Sequence, residues 1–357
     1  MNDQHPRVVT RADVARLAGV STAVVSYVVN DGPRPVAADT AARVREAIEM
    51  LGYRPNASAR ALKLGTTGVL GLVVPDSSNP FYAELALEVE RSATRRGLAL
   101  LVASSNSDLE LESRLIQDLA SRQVDGLLVS AISGPPRITA GASRIPVPLT
   151  YLDAQLPVEG VSTVSSDGEA GARMLVQHLL RVHGHSTVAL LMGTASTGWV
   201  DGRELGWQRT LREHGAPDAP LERAPFSRKG GYEGGLRLLR GRGRPAAVFA
   251  SSDLQAIGLL RAAHELGIAV PGELAVVAYD GTEESEYCWP PLTCARQRIA
   301  DIAEAAVNAV LDGRAPTHRV FDVDLLIRRS CGCTGEEPGE LRTRRARPRD
   351  RIGPPPT

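Results

Sequence analysis

Between Thr10 and Asn56 runs a set of small hydrogen-bonding residues, Thr10, Ser21, Ser26, Asn30 and Asn56. They suit phosphate oxygens, contacts that hold a polyanion in register without reading its sequence. Thr22, Ala23 and Tyr27, set among them, offer two methyl groups and a phenol that can meet thymine methyls and the hydrogen-bonding edges of bases. A second group lies where apolar runs stop: Asp76 and Asn79-Pro80-Phe81, then Ser130, Asp153 and Asp280. Crevices at strand ends are where open α/β sheets hold small ligands. No Gly-x-Ser-x-Gly elbow, phosphate-loop lysine motif or dinucleotide glycine fingerprint occurs, so no catalytic residue and no cofactor is expected.

The first group needs short helices to present it. From Thr10 the pattern is helical, with Val14, Leu17 and Ala18 on one face, Thr10-Arg11-Ala12-Asp13 as a capping box and Gly19 as the break. Ser21 caps a second helix, Thr22 to Val29, whose Val25, Val28 and Val29 pack on the first. A third runs from about Ala38 to Leu51, with Val44, Ala47, Ile48 and Leu51 inward and Gly52 as its stop. Two helices joined by a tight turn suit a recognition helix in the major groove, although a three-helix domain of another purpose satisfies the same pattern. The stretch from Ala57 to Leu64 is alanine-rich but only about two turns long, marginal as a helix by itself, and a plain linker fits it too. Beyond Gly65, strands alternate with amphipathic helices in parallel α/β texture: Val69–Val74, Phe81–Arg96, Ala99–Ala103, Leu109–Arg122, Gly126–Ser130 and Val147–Leu152. The same texture resumes from Ala170 to Tyr279.

At 357 residues the chain accommodates two or three domains, and its 41 basic and 41 acidic residues cancel, so any nucleic-acid site must be local. No apolar run approaches the roughly 20 residues of a membrane span and Met1–Arg7 lacks a signal-peptide core, which predicts a cytoplasmic protein and disfavours an exported binding protein. The four cysteines come late, and Cys331-Gly-Cys333 is one residue short of the usual paired zinc spacing, so free thiols and no metal are expected. His183-Gly-His185 lacks a third ligand nearby in sequence and is expected to be structural. Glu336–Thr357 holds six arginines and almost no apolar side chain, the composition of a disordered basic tail.

Two long segments carry a resemblance. Asp13-Val-Ala-Arg-Leu-Ala-Gly-Val-Ser-Thr-Ala-Val-Val-Ser-Tyr-Val-Val-Asn30 and Leu51-Gly-Tyr-Arg-Pro-Asn-Ala-Ser-Ala-Arg-Ala-Leu62 closely resemble the LacI/GalR family of bacterial repressors. Later runs are similar too: Gly71-Leu-Val-Val-Pro-Asp-Ser-Ser-Asn-Pro-Phe81, Val124-Asp-Gly-Leu-Leu128, Ser252-Asp253, Ala278-Tyr-Asp-Gly281 and Pro290-Pro-Leu-Thr293. The resemblance implies an N-terminal all-α helix-turn-helix domain (residues 1–55), a hinge (56–66) and an α/β core like periplasmic binding proteins (67–333). In that core, two parallel-sheet subdomains would comprise about 67–163 with 294–322 and about 164–293 with 323–333, leaving 334–357 as the tail. It further implies a homodimer on a pseudo-palindromic double-stranded operator. A hinge helix would be ordered on DNA, with Leu62 prying open a base step in the minor groove and Ala59 and Lys63 flanking it. A small-molecule effector, carbohydrate or nucleoside-like, would control operator affinity.

By position in the family pattern, Phe81, Ser130, Asp153, Trp199, Arg203, Phe226, Ser252 and Asp280 would line the effector cleft. Arg203 supplies a multi-donor fork and Asp280 an acceptor pair, while Phe81, Trp199 and Phe226 could stack on a sugar face or flat base. The chain departs from the family in places. Ala37 stands where a capping Ser or Thr is usual, at a cost of about 1 kcal/mol. Tyr27 stands where a longer polar residue is common and Ala23 reads little beyond a methyl group, so no operator sequence carries over. Ser252 and Ser166 replace a common asparagine and aspartate, which points away from a simple hexose.

Overall fold

The computed structural model describes residues 9–30, 32, 34–54, 65–130, 145–154, 157–194, 200–241, 243–312, 315–334 and 349–350. The chain separates into two compact units, Met1–Thr67 and Gly68–Thr357.

In the first unit, α1 (Arg11–Ala18), α2 (Thr22–Val29) and α3 (Ala38–Leu51) surround a core of Val14, Ala15, Ala18, Val25, Val44, Ala47 and Tyr53. Asp13 accepts from both the backbone N–H (2.9 Å) and the hydroxyl (2.6 Å) of Thr10, fixing the start of α1, and Gly19 ends it in the left-handed conformation. Leu17, expected inward, is 51% exposed. The buried stripe of α1 runs through Val14, Ala15 and Ala18 instead, and Leu17 lies on its flank beside Val9 and Leu51. Ala37 precedes α3 without any side-chain cap. The predicted hinge residues Asn56, Ala59, Leu62 and Lys63 lie outside the described residues.

The second unit holds two sheets. The first comprises β1 (Val69–Val74), β2 (Ala99–Ser104), β3 (Gly126–Ser130), β4 (Leu149–Leu152) and β5 (Ser162–Ser166); the second includes β6 (Ala189–Met192), β7 (Leu221–Arg223), β8 (Ala247–Ala250), β9 (Ala275–Asp280) and β10 (Thr293–Arg296). The chain then returns to the first sheet with β11 (His318–Phe321), to the second with β12 (Asp324–Leu326), and to the first with β13 (Arg349–Asp350). The strand orders are β13-β11-β5-β4-β3-β1-β2 and β12-β10-β9-β8-β6-β7. All pairings are parallel except those of β12 and β13. Of the expected tail, Arg349–Asp350 pairs with β11, and residues 335–348 and 351–357 lie outside the described residues.

Helices cover both faces of both sheets, which is why most central strands are apolar throughout. In the first, α4 (Pro80–Thr94) and a late helix, Ile299–Leu311, bury Leu85, Val89, Ile302 and Val307 on Leu70, Leu72 and Leu128; α5 (Leu109–Ser121) covers Val73 and Leu127 from behind. In the second, α6 (Gly168–Arg181) and α7 (Gly202–Glu213) pack on Leu190, Phe249 and Val277, opposite α8 (Arg228–Arg240) and α9 (Asp253–Glu265). A short α10 (Glu284–Tyr287) follows β9, and the late helix is α11. Helices α8 and α9 meet through glycine: a Cβ at Gly258 would lie 2.1 Å from the Arg228 carbonyl oxygen.

The predicted subdomain boundaries need correction. Register pairs Val320 with Ser165 and Phe321 with Ser166, so β5 belongs to the first sheet through Ser166 rather than stopping at 163. Likewise Cys294–Arg296 pair with Ala278–Asp280, which keeps all of β10 in the second sheet, whereas the family pattern had moved residue 294 onward into the first. A ladder continues as long as its backbone partners do, and the crossovers fall beyond those partners.

Candidate functional site

In the helical unit, Thr22 and Ala23 are exposed at the start of α2, and Ser26 and Tyr27 are half-buried on the same helix. Ser21 accepts from the Val24 N–H (3.4 Å), leaving its own proton available to an anionic oxygen. Thr10 differs, because its hydroxyl proton is directed to Asp13. The Asn30 amide donates to the carbonyl (3.0 Å) and hydroxyl (3.3 Å) of Ser26, so these two finish the helix together.

In the core, the C-terminal ends of β4 and β9 and the N-termini of α4, α7 and α9 converge on a cleft of about 330 Å³. Of the predicted residues it gathers Phe81, Asp153, Arg203, Phe226, Ser252 and Asp280. Trp199 lies outside the described residues. Ser130 does not line the cleft; it sits behind Asp153 and donates to its Oδ2 at 2.7 Å. Phe81, expected to stack on a ligand, is 5% exposed and belongs to the core of the first sheet, edge-on to Tyr82.

Capping places several of these groups. Asn79 accepts from the Phe81 N–H (3.1 Å) with Pro80 at the first helical position, Ser252 accepts from Gln255 N–H (3.3 Å), and Asp201 accepts from Arg203 N–H (2.8 Å). Asp153 (φ 59°) and Asp280 (φ 111°) both have positive φ, a costly geometry for residues other than glycine that recurs at ligand clamps.

Arg203 is the most constrained cation here. Its Nε (2.9 Å) and Nη2 (2.7 Å) grip the two oxygens of Asp201, and Nη1 donates to the Ser251 carbonyl (2.8 Å). The rings of Phe226 and Tyr279 lie 5.0 and 5.4 Å from its Cζ. A guanidinium has five N–H groups, so two remain beyond these three bonds. Burial works against its charge, yet Asp201 and Asp280 hold it more firmly protonated than usual. Burial pushes the Asp280 carboxyl up to about 7, against the opposing pull of Arg203 and a 2.9 Å bond from Gln297 Nε2 to its Oδ1. Burial also raises Asp153, with Ser130 opposing. Asp253, which accepts twice from Thr282, is raised well above the ordinary carboxylate range by burial and by Asp280. Its Oδ1 is one of three buried side-chain atoms without a partner among the described residues.

Tyr82, Asp201, Tyr279 and Gln297 line the cleft without having been foreseen. Asp201 carried a signal, an acid immediately ahead of a helical segment. Gln297 carried none: it sits in a crossover, accepts from Ser166 (2.6 Å) and donates to Asp280, connecting the two sheets.

Residues 10–56 match bacterial regulatory proteins, lacI family, and residues 176–331 match the periplasmic binding protein-like domain. Over 305 residues the chain is 33% identical to the ribose operon repressor of Escherichia coli (strain K12), covering 85% of this chain and 92% of that one. Among solved structures, the lac repressor dimer bound to operator and the anti-inducer ONPF aligns with a TM-score of 0.81 at 26% identity, over 91% of this chain and 99% of that one. A complex of the transcriptional regulator CelR with cellobiose aligns at 0.65 and 29% identity, over 90% and 99%.

Proposed function

This chain belongs to the lacI family of bacterial regulatory proteins, and from that premise we propose that its effector is a small uncharged polyhydroxylated metabolite, a sugar or a nucleoside, held by Arg203, Asp153 and Asp280. The protein is a sequence-specific, homodimeric DNA-binding transcriptional repressor under small-molecule control, not an enzyme. Relatives include the repressor of a ribose operon and a regulator with bound cellobiose, which supports the carbohydrate class. We assign it to the cytoplasm, where a regulator of this family meets operator DNA; among the described residues no single helix is long and apolar enough to cross a membrane.

One observation carries the effector class: the balance of charge in the cleft. Four carboxyl groups, Asp153, Asp201, Glu204 and Asp280, line it against two guanidinium groups, Arg203 and Arg223. Asp201 and Glu204 already pair with those arginines, so Asp153 and Asp280 are left to address the ligand. An anionic group would find both guanidinium groups already paired and two further carboxyl groups beside it, whereas hydroxyl groups can pair with these oxygens in either protonation state and accept from Arg203. On the DNA side, Ser21, Thr22, Ala23, Ser26, Tyr27 and Asn30 form the major-groove element, and Asn56, Ala59, Leu62 and Lys63 the minor-groove hinge, in this proposal.

Thermal unfolding against sugars, nucleosides and sugar phosphates tests the proposal. A ligand at 100 times its Kd stabilises the native state by about 2.7 kcal/mol. A shift from a neutral sugar or nucleoside, lost in Arg203→Ala, is the expected outcome. A response confined to sugar phosphates, or one that survives Arg203→Ala, refutes the assignment.

A further inference from the structure

Behind the second sheet, well away from the capped helix starts that line the cleft, two remote parts of the chain meet. His178, in the last turn of α6, and His183, just past it, face Cys331 and Cys333, 148 to 155 residues away in sequence. The four ligating atoms lie within 4.8 Å of one another. His178 Nε2 is 3.2 Å from His183 Nε2, 3.4 Å from Cys331 Sγ and 3.6 Å from Cys333 Sγ, and His183 Nε2 is 3.4 Å from Cys333 Sγ.

Four of the six edges have the lengths of a coordination tetrahedron. Bonds of about 2.05 Å to nitrogen and about 2.3 Å to sulfur place N–N edges at about 3.3 Å and N–S edges at about 3.6 Å. All four recorded separations fall close to these values. We infer that His178, His183, Cys331 and Cys333 form a closed tetrahedral site for a borderline-soft divalent cation, zinc above all. Two thiolates and two imidazoles match zinc, and with no open position the role is structural.

The surroundings are built to suit. Cys331 and His178 are buried, and Thr293 Oγ1 lies 3.0 Å from Cys331 Sγ, where a hydroxyl can support a thiolate. Gly332, between the cysteines, has φ 106°, and a Cβ there would come within 3.3 Å of two atoms of the His183 ring. Ser330 secures the same segment by donating to the Val276 carbonyl (2.6 Å) and accepting from Thr293 N–H (2.8 Å). The Cys-x-Cys spacing is one residue short along the chain, but the fold supplies the other two ligands from the last turn of α6 and the turn just past it. The expectation of free thiols rested on sequence neighbours alone.

The test uses the full-length protein, purified reduced and titrated with cobalt(II), with bound zinc measured on protein from zinc-supplemented cells. Expected are one ion per chain, a thiolate-to-cobalt charge-transfer band with tetrahedral ligand-field bands, and a lower unfolding temperature after chelation. Cys333→Ser weakens metal binding by about 100-fold or more. His185→Ala leaves it unchanged, since that ring is 6.4 Å from His183, centroid to centroid, and outside the cluster. If Cys333→Ser does not fold, the partly exposed His183→Ala replaces it with the same expected loss. A reduced wild-type protein that takes up no cobalt, or full binding retained in Cys333→Ser or His183→Ala, overturns the site. Neither result bears on the effector cleft.

Discussion

Asp280 serves two opposing demands. A ligand needs its oxygens in the cleft, but burial raises its folded-state value to about 7 from an ordinary 3.8. Between those values the folded chain keeps a proton that the unfolded chain gives up, so this group's contribution to stability falls as pH rises through the window and levels off above about 7. Asparagine can keep the bond from Gln297 without the charge. Asp280→Asn should therefore stabilise the effector-free protein by about 1 to 2 kcal/mol at pH 8, with a smaller gain at pH 5. Denaturant unfolding at the two pH values checks this, and an equal change at both counts against it. Much of the cleft was legible in sequence because strand ends and the family pattern coincide at Asp153 and Asp280. Ser130 was placed in the right neighbourhood but a layer too far forward. Phe81 lines the cleft as expected but gives most of its ring to the core, since an aromatic residue after a cap can turn either way and no spacing distinguishes the two.

Among the elements, the strongly periodic or continuously apolar segments were found where expected, from α1–α3 through β9. The others differ in cause: α11 (Ile299–Leu311) is periodic and 13 residues long and lies beyond the last segment expected from pattern, while the strands lacked a local signal. β5 reads Ser-Thr-Val-Ser-Ser, is buried throughout and owes its place to ladders with β4 and β11, a long-range context that local pattern lacks. β7 and β12 are three residues each, too short for any period. Helix pairing adds a constraint that propensity hides. At Gly258 a methyl group would sit 2.1 Å from the Arg228 carbonyl oxygen and 2.4 Å from the Tyr232 nitrogen, both backbone atoms. Alanine is the better helix former, yet Gly258→Ala should destabilise the core by about 1 to 3 kcal/mol, because α8 and α9 must separate to admit it. Calorimetric unfolding decides it, and a neutral or stabilising result would mean that the helices give way freely.

For the whole molecule, the route between sheets matters more than either sheet. Ser166 closes β5, Asp280 closes β9, and Gln297 bonds to both, so any change in the angle between the subdomains acts on this buried chain. Gln297→Leu should leave effector affinity within about tenfold of wild type while reducing the effector's influence on operator binding, a coupling of typically about 1 to 3 kcal/mol in such systems. Operator titrations with and without saturating effector measure it, and unchanged coupling would remove Gln297 from the transmission path. The crossovers have another consequence, in the order of manufacture. The first sheet receives β11, and the cover of α11, only after nearly all of the second sheet has been translated. The helical unit closes on its own contacts near the start. On the ribosome the recognition helices can therefore be complete while the earlier-encoded sheet still waits with an apolar face uncovered, a state that invites chaperone capture. A message cut short before residue 299 yields recognition helices attached to a sensor that cannot finish folding.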